Sequence, residues 1–212
     1  MEKTVQRGLV AGAVAAGAAL IGGAFYVLQE RQTEEPDYRP MKSDGEFQIR
    51  DYPALTVAET VVQGPRKAAL GEGFKLIADY ISAKSRPGEK IAMTVPVTQD
   101  SGDPMASDPP MFDDDLEGAW RTRFVMPAGR TADDLPEPTD GIDLVDLPPR
   151  KLAVVSFAGR ADDRMLAEQE DRLRGWLARN VEKAGGEPEY AFYNSPVIPG
   201  PLRRNEVWLA LS

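Results

Sequence analysis

The side chains that most often perform catalysis or hold metals are missing from this chain. The sequence contains no histidine and no cysteine. No imidazole can therefore act as a general base or as a haem or metal ligand, and no thiolate can act as a nucleophile. This composition excludes Ser-His-Asp catalysis, disulfides and most zinc sites.

Carboxylates are the remaining groups that could act as a general acid or base. Glu59 and Glu72 are the candidates for such a role in a hydrolase or isomerase that acts on a small lipophilic molecule. Their spacing assembles no catalytic dyad, and no nucleophile motif is present. A buried Glu59 beside Tyr80 would favour that chemistry, whereas the alternation of its strand favours a position on the solvent side.

Methionines and arginines could hold a cofactor. Met93 and Met126 are candidate thioether ligands for iron, although a methionine within a strand more often packs in the core. Arg203 and Arg204 could pair with the carboxylates of a ligand. Adjacent residues of a strand point to opposite faces, so at most one of these arginines can face a given cleft. The alternative is that both are solvated.

The charge balance bears on the class of partner. The chain has 25 Lys and Arg against 34 Asp and Glu, which gives a net charge of −9. Such a domain gains no affinity from neutralising phosphates, so we expect no nucleic-acid partner. The hydrophobic fraction of 42% is ordinary for a globular core.

An uncharged run at residues 8–28 is long enough to span a bilayer as a helix. Lys3 and Arg7 precede it, so the positive-inside rule predicts a cytoplasmic N-terminus and a domain on the exported, periplasmic or extracellular side. Small residues within the run leave a cleaved signal peptide as the alternative. The length of the run favours an uncleaved transmembrane anchor at residues 1–28.

Alternating segments follow a polar stretch, residues 29–45, that we interpret as a linker. The alternation predicts strands over residues 47–52 and 55–62. A helix is expected next, with one apolar face made of Leu70, Phe74, Ile77 and Ile81.

Residues 90–97, Lys-Ile-Ala-Met-Thr-Val-Pro-Val, predict a core strand because they are apolar and β-branched. Pro96 should lie at an edge or at the end of the strand, because proline cannot donate to a ladder. The acidic stretch 99–118, which contains several prolines, predicts a long solvated loop.

The order strand-strand-helix-strand-strand occurs twice, with Leu55 in the first half corresponding to Leu152 in the second. Asp162 is the expected N-cap of the second helix. We therefore predict an α+β domain over residues 46–212, in which two halves form a strongly bent eight-stranded antiparallel sheet with both helices against it. Such a fold can leave a concave apolar cleft between sheet and helices.

Several segments of residues 46–212 resemble the SOUL haem-binding family. The most specific are Ala-Met-Thr-Val-Pro-Val at residues 92–97 and Arg-Arg-Asn-Glu-Val-Trp at residues 203–208. The resemblance implies a pseudo-two-fold fold in which a distorted eight-stranded barrel is flanked by two helices. Further matching segments are residues 52–59, 73–74, 80–81 and 121–127.

The resemblance also implies that haem or a related tetrapyrrole binds in a shallow apolar cleft beside the first helix. The family's cleft-facing positions fall on Gly71, Phe74 and Ala78, which share one helical face. Gly71 stands where relatives can have an arginine for the propionates, and the histidine that some relatives are thought to use as a ligand is absent. Met93 and Arg204 complete the candidate set for a weakly bound haem, in which Met, Tyr or no side chain ligates the iron.

Three hypotheses follow. The first is a membrane-anchored, non-enzymatic protein that binds haem or a related porphyrin. The second is the hydrolase or isomerase that would use Glu59 or Glu72. The third is a scaffold whose cleft holds a peptide or a lipid tail, for which the loop 99–118 and the membrane segment 8–28 are suited.

Overall fold

The structure, a computed structural model, describes residues 33–102, 118–180 and 183–211. The predicted anchor at residues 8–28 and most of the predicted loop 99–118 lie outside the described residues, so both stay predictions. Within the described ranges, we find no helix whose length and apolarity would let it cross a membrane.

The described residues form nine strands and two helices. Two short 3-10 turns, Ala132–Asp134 and Gly200–Leu202, lie in the connections. In chain order the elements are β1 (Arg39–Asp44), β2 (Phe47–Tyr52), β3 (Leu55–Gly64), α1 (Arg66–Ile81), β4 (Val97–Ser101), β5 (Gly118–Val125), β6 (Asp143–Leu147), β7 (Arg150–Ala158), α2 (Asp163–Arg179), β8 (Ala184–Phe192) and β9 (Arg204–Leu211).

All strands belong to one antiparallel sheet with the order β1-β2-β7-β9-β8-β4-β5-β3-β6. Without β1, the order is symmetric about the β8–β4 pair, since β7, β8 and β9 correspond to β3, β4 and β5. Each half also gives one strand to the other, because β2 pairs with β7 and β6 pairs with β3. The pseudo-two-fold repeat predicted from the element order is therefore present in the strand order.

The sheet is open, and this corrects the expected barrel. β1 and β6 are its two edges, and no strand pairing joins them in the described parts of the chain. The predicted count of eight strands was also wrong, because residues 39–44 of the presumed linker form β1, which pairs with β2. β1 is exposed along its whole length and contains Pro40, so it lacks the apolar alternation that identifies a strand.

The predicted core strand at residues 90–97 was wrong for all but its last residue. β4 begins at Val97, directly after Pro96, which has no N–H with which to extend the ladder. Before it, Thr94 makes an isolated bridge with Glu34, and the Val95–Pro96 peptide bond is cis. Ile91 is buried, whereas Met93 is exposed, so apart from this one bridge the segment packs on the domain without joining the sheet.

Both helices pack on the same face of the sheet. α1 buries Ile77 and Ile81 against Phe124, and α2 buries Leu166 and Leu173 in a second cluster. The predicted N-cap of α2 is confirmed, since the Asp162 side chain accepts a hydrogen bond of 2.9 Å from the Met165 N–H. The opposite face, here called the helix-free face, carries an aromatic and aliphatic cluster that contains no residue of either helix.

Candidate functional site

The residues Gly71, Phe74 and Ala78, here called the α1 stripe, lie on the flank of α1 that its buried face leaves uncovered. Gly71 is exposed, and a Cβ built there would meet no atom within 4 Å. Phe74 is 42% exposed and Ala78 is half-buried. The sequence predicted a single apolar face that included Phe74, but only the part around Ile77 and Ile81 is sealed in the core.

Phe74 packs on the sheet through one buried aromatic ring. Its ring centroid lies 5.3 Å from that of Phe124, with the planes inclined by 50°. Phe124 is directly opposite Val97 in β4, and Val97 is directly opposite Phe192 in β8. These three side chains form an apolar row across two strand spacings, about 10 Å, on the face that carries the helices. The exposed Phe74 ring therefore adjoins a continuous apolar floor.

The two candidate methionines have different surroundings. Met126 is 3% exposed and belongs to the core cluster beneath α1, so its thioether is committed to packing. Met93 is 48% exposed. It follows Ile91, whose N–H donates a 2.9 Å hydrogen bond to the Ile81 carbonyl at the end of α1. Of the two, Met93 is the one with an exposed side chain.

Arg204 lies on the helix-free face, so the structure does not bring it to the α1 stripe. Its Nη2 donates to Glu206 Oε1 at 3.0 Å, and its Nη1 donates to the Glu35 carboxylate at 2.9 and 3.1 Å. The guanidinium also lies 3.7 Å from the centroid of the Tyr193 ring. Arg203 donates to the carbonyls of Ile198 and Pro196 and so fixes the β8–β9 connection.

Sequence reasoning did not find the buried carboxylate that organises the helix-free face. Glu206 is fully buried, and Arg50, which is 2% exposed, donates to its two oxygens at 2.9 and 3.0 Å. Burial alone would raise the pKa of Glu206, but its hydrogen bonds and the Arg50 charge hold that pKa below its usual value. Further donors to this carboxylate are Ser156, Tyr193, Arg204 and Trp208. The available signal was the position of Glu206 within a strand, directly before the apolar residues 207–211.

A second charged cluster lies on the same face around Arg123. Its guanidinium donates to Glu59 at 2.7 Å and to Asp100 at 2.5 Å, and one of its nitrogens lies 4.0 Å from Glu189. Burial raises the pKa of Asp100 to about 6, against the opposing charge of Arg123. Each acid in this cluster therefore has an arginine within ion-pair distance.

Glu59 does not lie beside Tyr80. Tyr80 belongs to the core beneath α1, where its hydroxyl donates to the Pro136 carbonyl at 2.6 Å. Its side chain is fully buried. Glu72 is exposed on α1. The pair that would have favoured acid–base chemistry is therefore not assembled.

One open depression of about 360 Å³ lies away from the α1 stripe, where β1 and β2 meet the residues that precede them. It combines two tyrosine rings with prolines and charged side chains. Its lining residues are Asp37, Tyr38, Arg39, Asp51, Tyr52, Pro53 and Pro149.

The sequence model of the SOUL haem-binding protein family matches residues 33–210. The chain belongs to the SOUL haem-binding family. The match begins before β1, so the SOUL domain starts earlier than the boundary at residue 46 that the sequence suggested. No curated protein matches the chain.

Solved structures share the fold of this SOUL protein at low sequence identity. The C-terminal domain of EcmrR has a TM-score of 0.56 at 13% identity, over 82% of this chain and 98% of its own. An uncharacterised conserved protein from Listeria innocua has a TM-score of 0.58 at 10% identity, over 79% and 92%. A hydrolase from Listeria innocua has a TM-score of 0.55 at 10% identity, over 81% and 94%. At such identities the likeness concerns the fold alone.

The residues of this SOUL protein fit the apolar body of a haem better than its iron. The α1 stripe offers an uncovered aromatic ring and a glycine without a side chain, which suit contact with a flat macrocycle. No imidazole is available as an axial ligand of the iron, because the sequence contains no histidine. Met93 remains as the candidate thioether contact.

Proposed function

We propose that this SOUL protein is a non-catalytic binding protein that holds haem or a related tetrapyrrole against the α1 stripe. The observation that carries the proposal is the position of Phe74, a large aromatic side chain that is 42% exposed while its ring packs on Phe124. Covering apolar surface is favourable by about 25 cal/mol per Å². A flat ligand that covers Phe74 and the small residues beside it gains this energy without any rearrangement of the helix.

Affinity in this proposal comes from apolar contact and not from iron ligation. The chain has no histidine, so the bond that most often fixes haem iron is not available. Met93 is the candidate methionine with an exposed side chain, and a methionine contact would give a spectrum unlike that of bis-imidazole haem. We therefore expect weak binding, with an affinity that changes little when the iron is replaced or removed.

The α1 stripe itself offers no cation to the propionates of a bound tetrapyrrole. Gly71 offers no cation at the position where relatives can have an arginine, and Arg204 is engaged on the other face of the sheet by Glu206 and Glu35. Electrostatic attraction therefore contributes little at the stripe itself.

The proposal includes a membrane anchor at residues 8–28 and a domain on the exported side. It rests on the length of the uncharged run and on the basic residues Lys3 and Arg7 before it. Extraction of the full-length protein from membranes with alkaline carbonate tests the anchor, and release into the soluble fraction would contradict it. Protease added to intact spheroplasts tests the side, since only an exported domain is cleaved.

Titration of the full-length protein with haemin tests the binding proposal. The protein must be purified without a histidine tag, and the Soret band and tryptophan fluorescence are followed together. We expect Phe74→Ala to weaken binding about tenfold, which corresponds to about 1.4 kcal/mol, because the loss of the aromatic contact, about 1 kcal/mol, adds to the loss of apolar burial. Val61→Ala is the matched control, because Val61 is 49% exposed and does not lie on α1.

Two results would overturn the proposal. One is a wild-type protein whose Soret response at micromolar haemin equals that of an unrelated acidic protein. The other is a Phe74→Ala variant that binds haemin as tightly as Val61→Ala does.

A further inference from the structure

The described residues include four buried arginines, and one of them lacks an acidic partner. Arg50 pairs with Glu206 at 2.9 Å, and Arg123 pairs with Glu59 at 2.7 Å. Arg66 pairs with Asp163. Arg86 is 9% exposed, yet no carboxylate of the described ranges lies within ion-pair distance of it. Burial of a charge without a counterion lowers the free energy of unfolding, so we looked for the group that Arg86 could bind.

The unpartnered atoms of Arg86 form one edge of its guanidinium. Nη1 donates to the neighbouring Pro87 carbonyl at 3.0 Å, and the carbon of the guanidinium lies 4.7 Å from the centroid of the Tyr80 ring. Nε and Nη2 are buried and have no hydrogen-bond partner among the described residues. The N–H bonds of these two nitrogens point the same way, and this parallel pair matches the two oxygens of a carboxylate or phosphate.

A second cation lies near the same tyrosine. Arg130 donates through Nη2 to Glu89 at 3.2 Å and to the Asp134 carbonyl at 2.8 Å, while its buried Nε has no partner among the described residues. Burial raises the pKa of Tyr80, and the charges of Arg86 and Arg130 both oppose that rise. The tyrosine hydroxyl is already committed to a backbone carbonyl, so it does not neutralise either arginine.

We propose that Arg86, assisted by Arg130, forms a binding site for a small oxyanion group, a carboxylate or a phosphate, at the C-terminal end of α1. The Nε and Nη2 edge of Arg86 would bind two oxygens of the group side-on, and the free Nε of Arg130 would add a second positive charge. Gly88 borders this site in a conformation that favours glycine, with φ +98°, and a Cβ there would come 3.6 Å from Arg86 Nη1. The turn thus leaves the guanidinium uncrowded.

This site is separate from the α1 stripe and does not depend on the proposed function. Tyr80 belongs to the buried side of α1, whereas Phe74 lies on its uncovered flank. Two sources of the oxyanion share the required chemistry. One is a free small anion, and the other is a propionate of a bound tetrapyrrole that reaches the end of the helix.

Thermal unfolding of the full-length protein tests the free anion. Sodium phosphate and sodium acetate are compared with sodium chloride at equal ionic strength, in wild type, Arg86→Gln and Arg164→Gln. A ligand that binds only the native state raises Tm as its concentration passes Kd. We expect phosphate or acetate to raise the Tm of wild type and of Arg164→Gln, an exposed arginine on α2, but not that of Arg86→Gln. In chloride, Arg86→Gln is expected to be at least as stable as wild type.

Titration with protoporphyrin and with its dimethyl ester tests the propionate. If wild type binds the free acid severalfold more tightly than the ester and Arg86→Gln does not, the oxyanion is a propionate of the tetrapyrrole. The proposal is overturned if neither anion raises Tm and the ester binds like the acid, or if Arg86→Gln responds as wild type does. If no tetrapyrrole binds but phosphate still raises the Tm of wild type, the proposed function is contradicted and the oxyanion site is supported.

Discussion

At the scale of single residues, Glu206 and Arg50 join strands that are far apart in the chain. The Glu206 carboxylate is fully buried, and Arg50 is 2% exposed, so the two charges compensate each other in an interior that water does not reach. Removal of one partner of a buried ion pair leaves the other charge uncompensated. Exposed pairs such as Arg39 with Asp51 contribute far less, because solvent screens them.

The variant Glu206→Gln is expected to lower the free energy of unfolding by about 3–5 kcal/mol, since Arg50 then stays buried without a counterion. Urea unfolding at neutral pH, followed by tryptophan fluorescence, measures the change. Asp51→Asn is the control and should cost less than about 1 kcal/mol, because its arginine partner is exposed. Equal losses in the two variants would contradict the assigned role of Glu206.

Asp100 is expected to make stability fall as pH rises. Burial raises its pKa from 3.8 to about 6, so the folded protein holds this proton more tightly than the unfolded chain does. The stabilisation is therefore complete below pH 3.8 and is lost as pH rises through about 6. Asp100→Asn cannot lose a proton there, so it should gain stability relative to wild type when the pH is raised across this range.

Urea unfolding of Asp100→Asn and wild type on either side of the Asp100 pKa checks this prediction. Asp133→Asn, at an exposed position, serves as the control and should show no such gain. A constant difference between Asp100→Asn and wild type at all pH values would mean that Asp100 titrates normally in the folded protein.

At the scale of elements, two glycines of α1 have opposite surroundings. Gly73 faces the sheet, where a Cβ would lie 2.6 Å from Thr122 Oγ1 and 2.8 Å from its Cβ. Gly71 faces open space, with no atom within 4 Å of a Cβ built there. The missing side chain at Gly73 therefore allows α1 to approach β5 closely, whereas Gly71 only weakens the helix.

The variant Gly73→Ala is expected to destabilise the protein by about 1–3 kcal/mol, because the added methyl group overpacks the contact with Thr122. Gly71→Ala should instead stabilise it by up to about 1 kcal/mol, since alanine is the better helix former. Chemical denaturation of both variants beside wild type measures the difference. Stabilisation by both substitutions would show that α1 does not pack on β5 as closely as described.

At the scale of the whole molecule, residues before the expected domain boundary are part of the folded unit. Glu35 pairs with Arg204, and the Tyr38 ring lies 5.3 Å from that of Tyr52. Asp44 in β1 accepts a hydrogen bond of 2.8 Å from the Trp176 indole on α2. Residues 34–44 therefore contact both the helix-free face and α2.

A fragment of residues 46–212 is expected to be less stable than a fragment of residues 33–212 and to self-associate. Without β1, the N–H and C=O groups of β2 become an unprotected sheet edge, which favours pairing with other chains. Size-exclusion chromatography and thermal unfolding compare the two fragments. Equal Tm values and monomeric behaviour of both would show that residues 33–45 contribute nothing to the fold.

The sequence alone determined the features that rest on local patterns. Alternation predicted β2 and β3, the 3.6-residue period predicted α1, Asp162 predicted the start of α2, and the element order revealed the repeat. The short motifs were specific enough to indicate the SOUL family. Each of these signals lies within one segment, because hydrophobic periodicity and capping depend on neighbouring residues.

Only the tertiary structure decided which charges are buried and which strands form the edges. Local sequence patterns predict that charged residues such as Arg50 and Glu206 face solvent. Burial of such a charge is tolerated only when an opposite charge compensates the cost of desolvation, and here that charge comes from a distant strand. The exposed β1 likewise has no apolar pattern of its own and is fixed by its pairing with β2. The face of the sheet on which Arg204 lies also could not be predicted from the sequence. Alternation shows that neighbouring side chains of a strand point to opposite faces, but it does not show which face meets the helices. That became known only from the strands on both sides of β9.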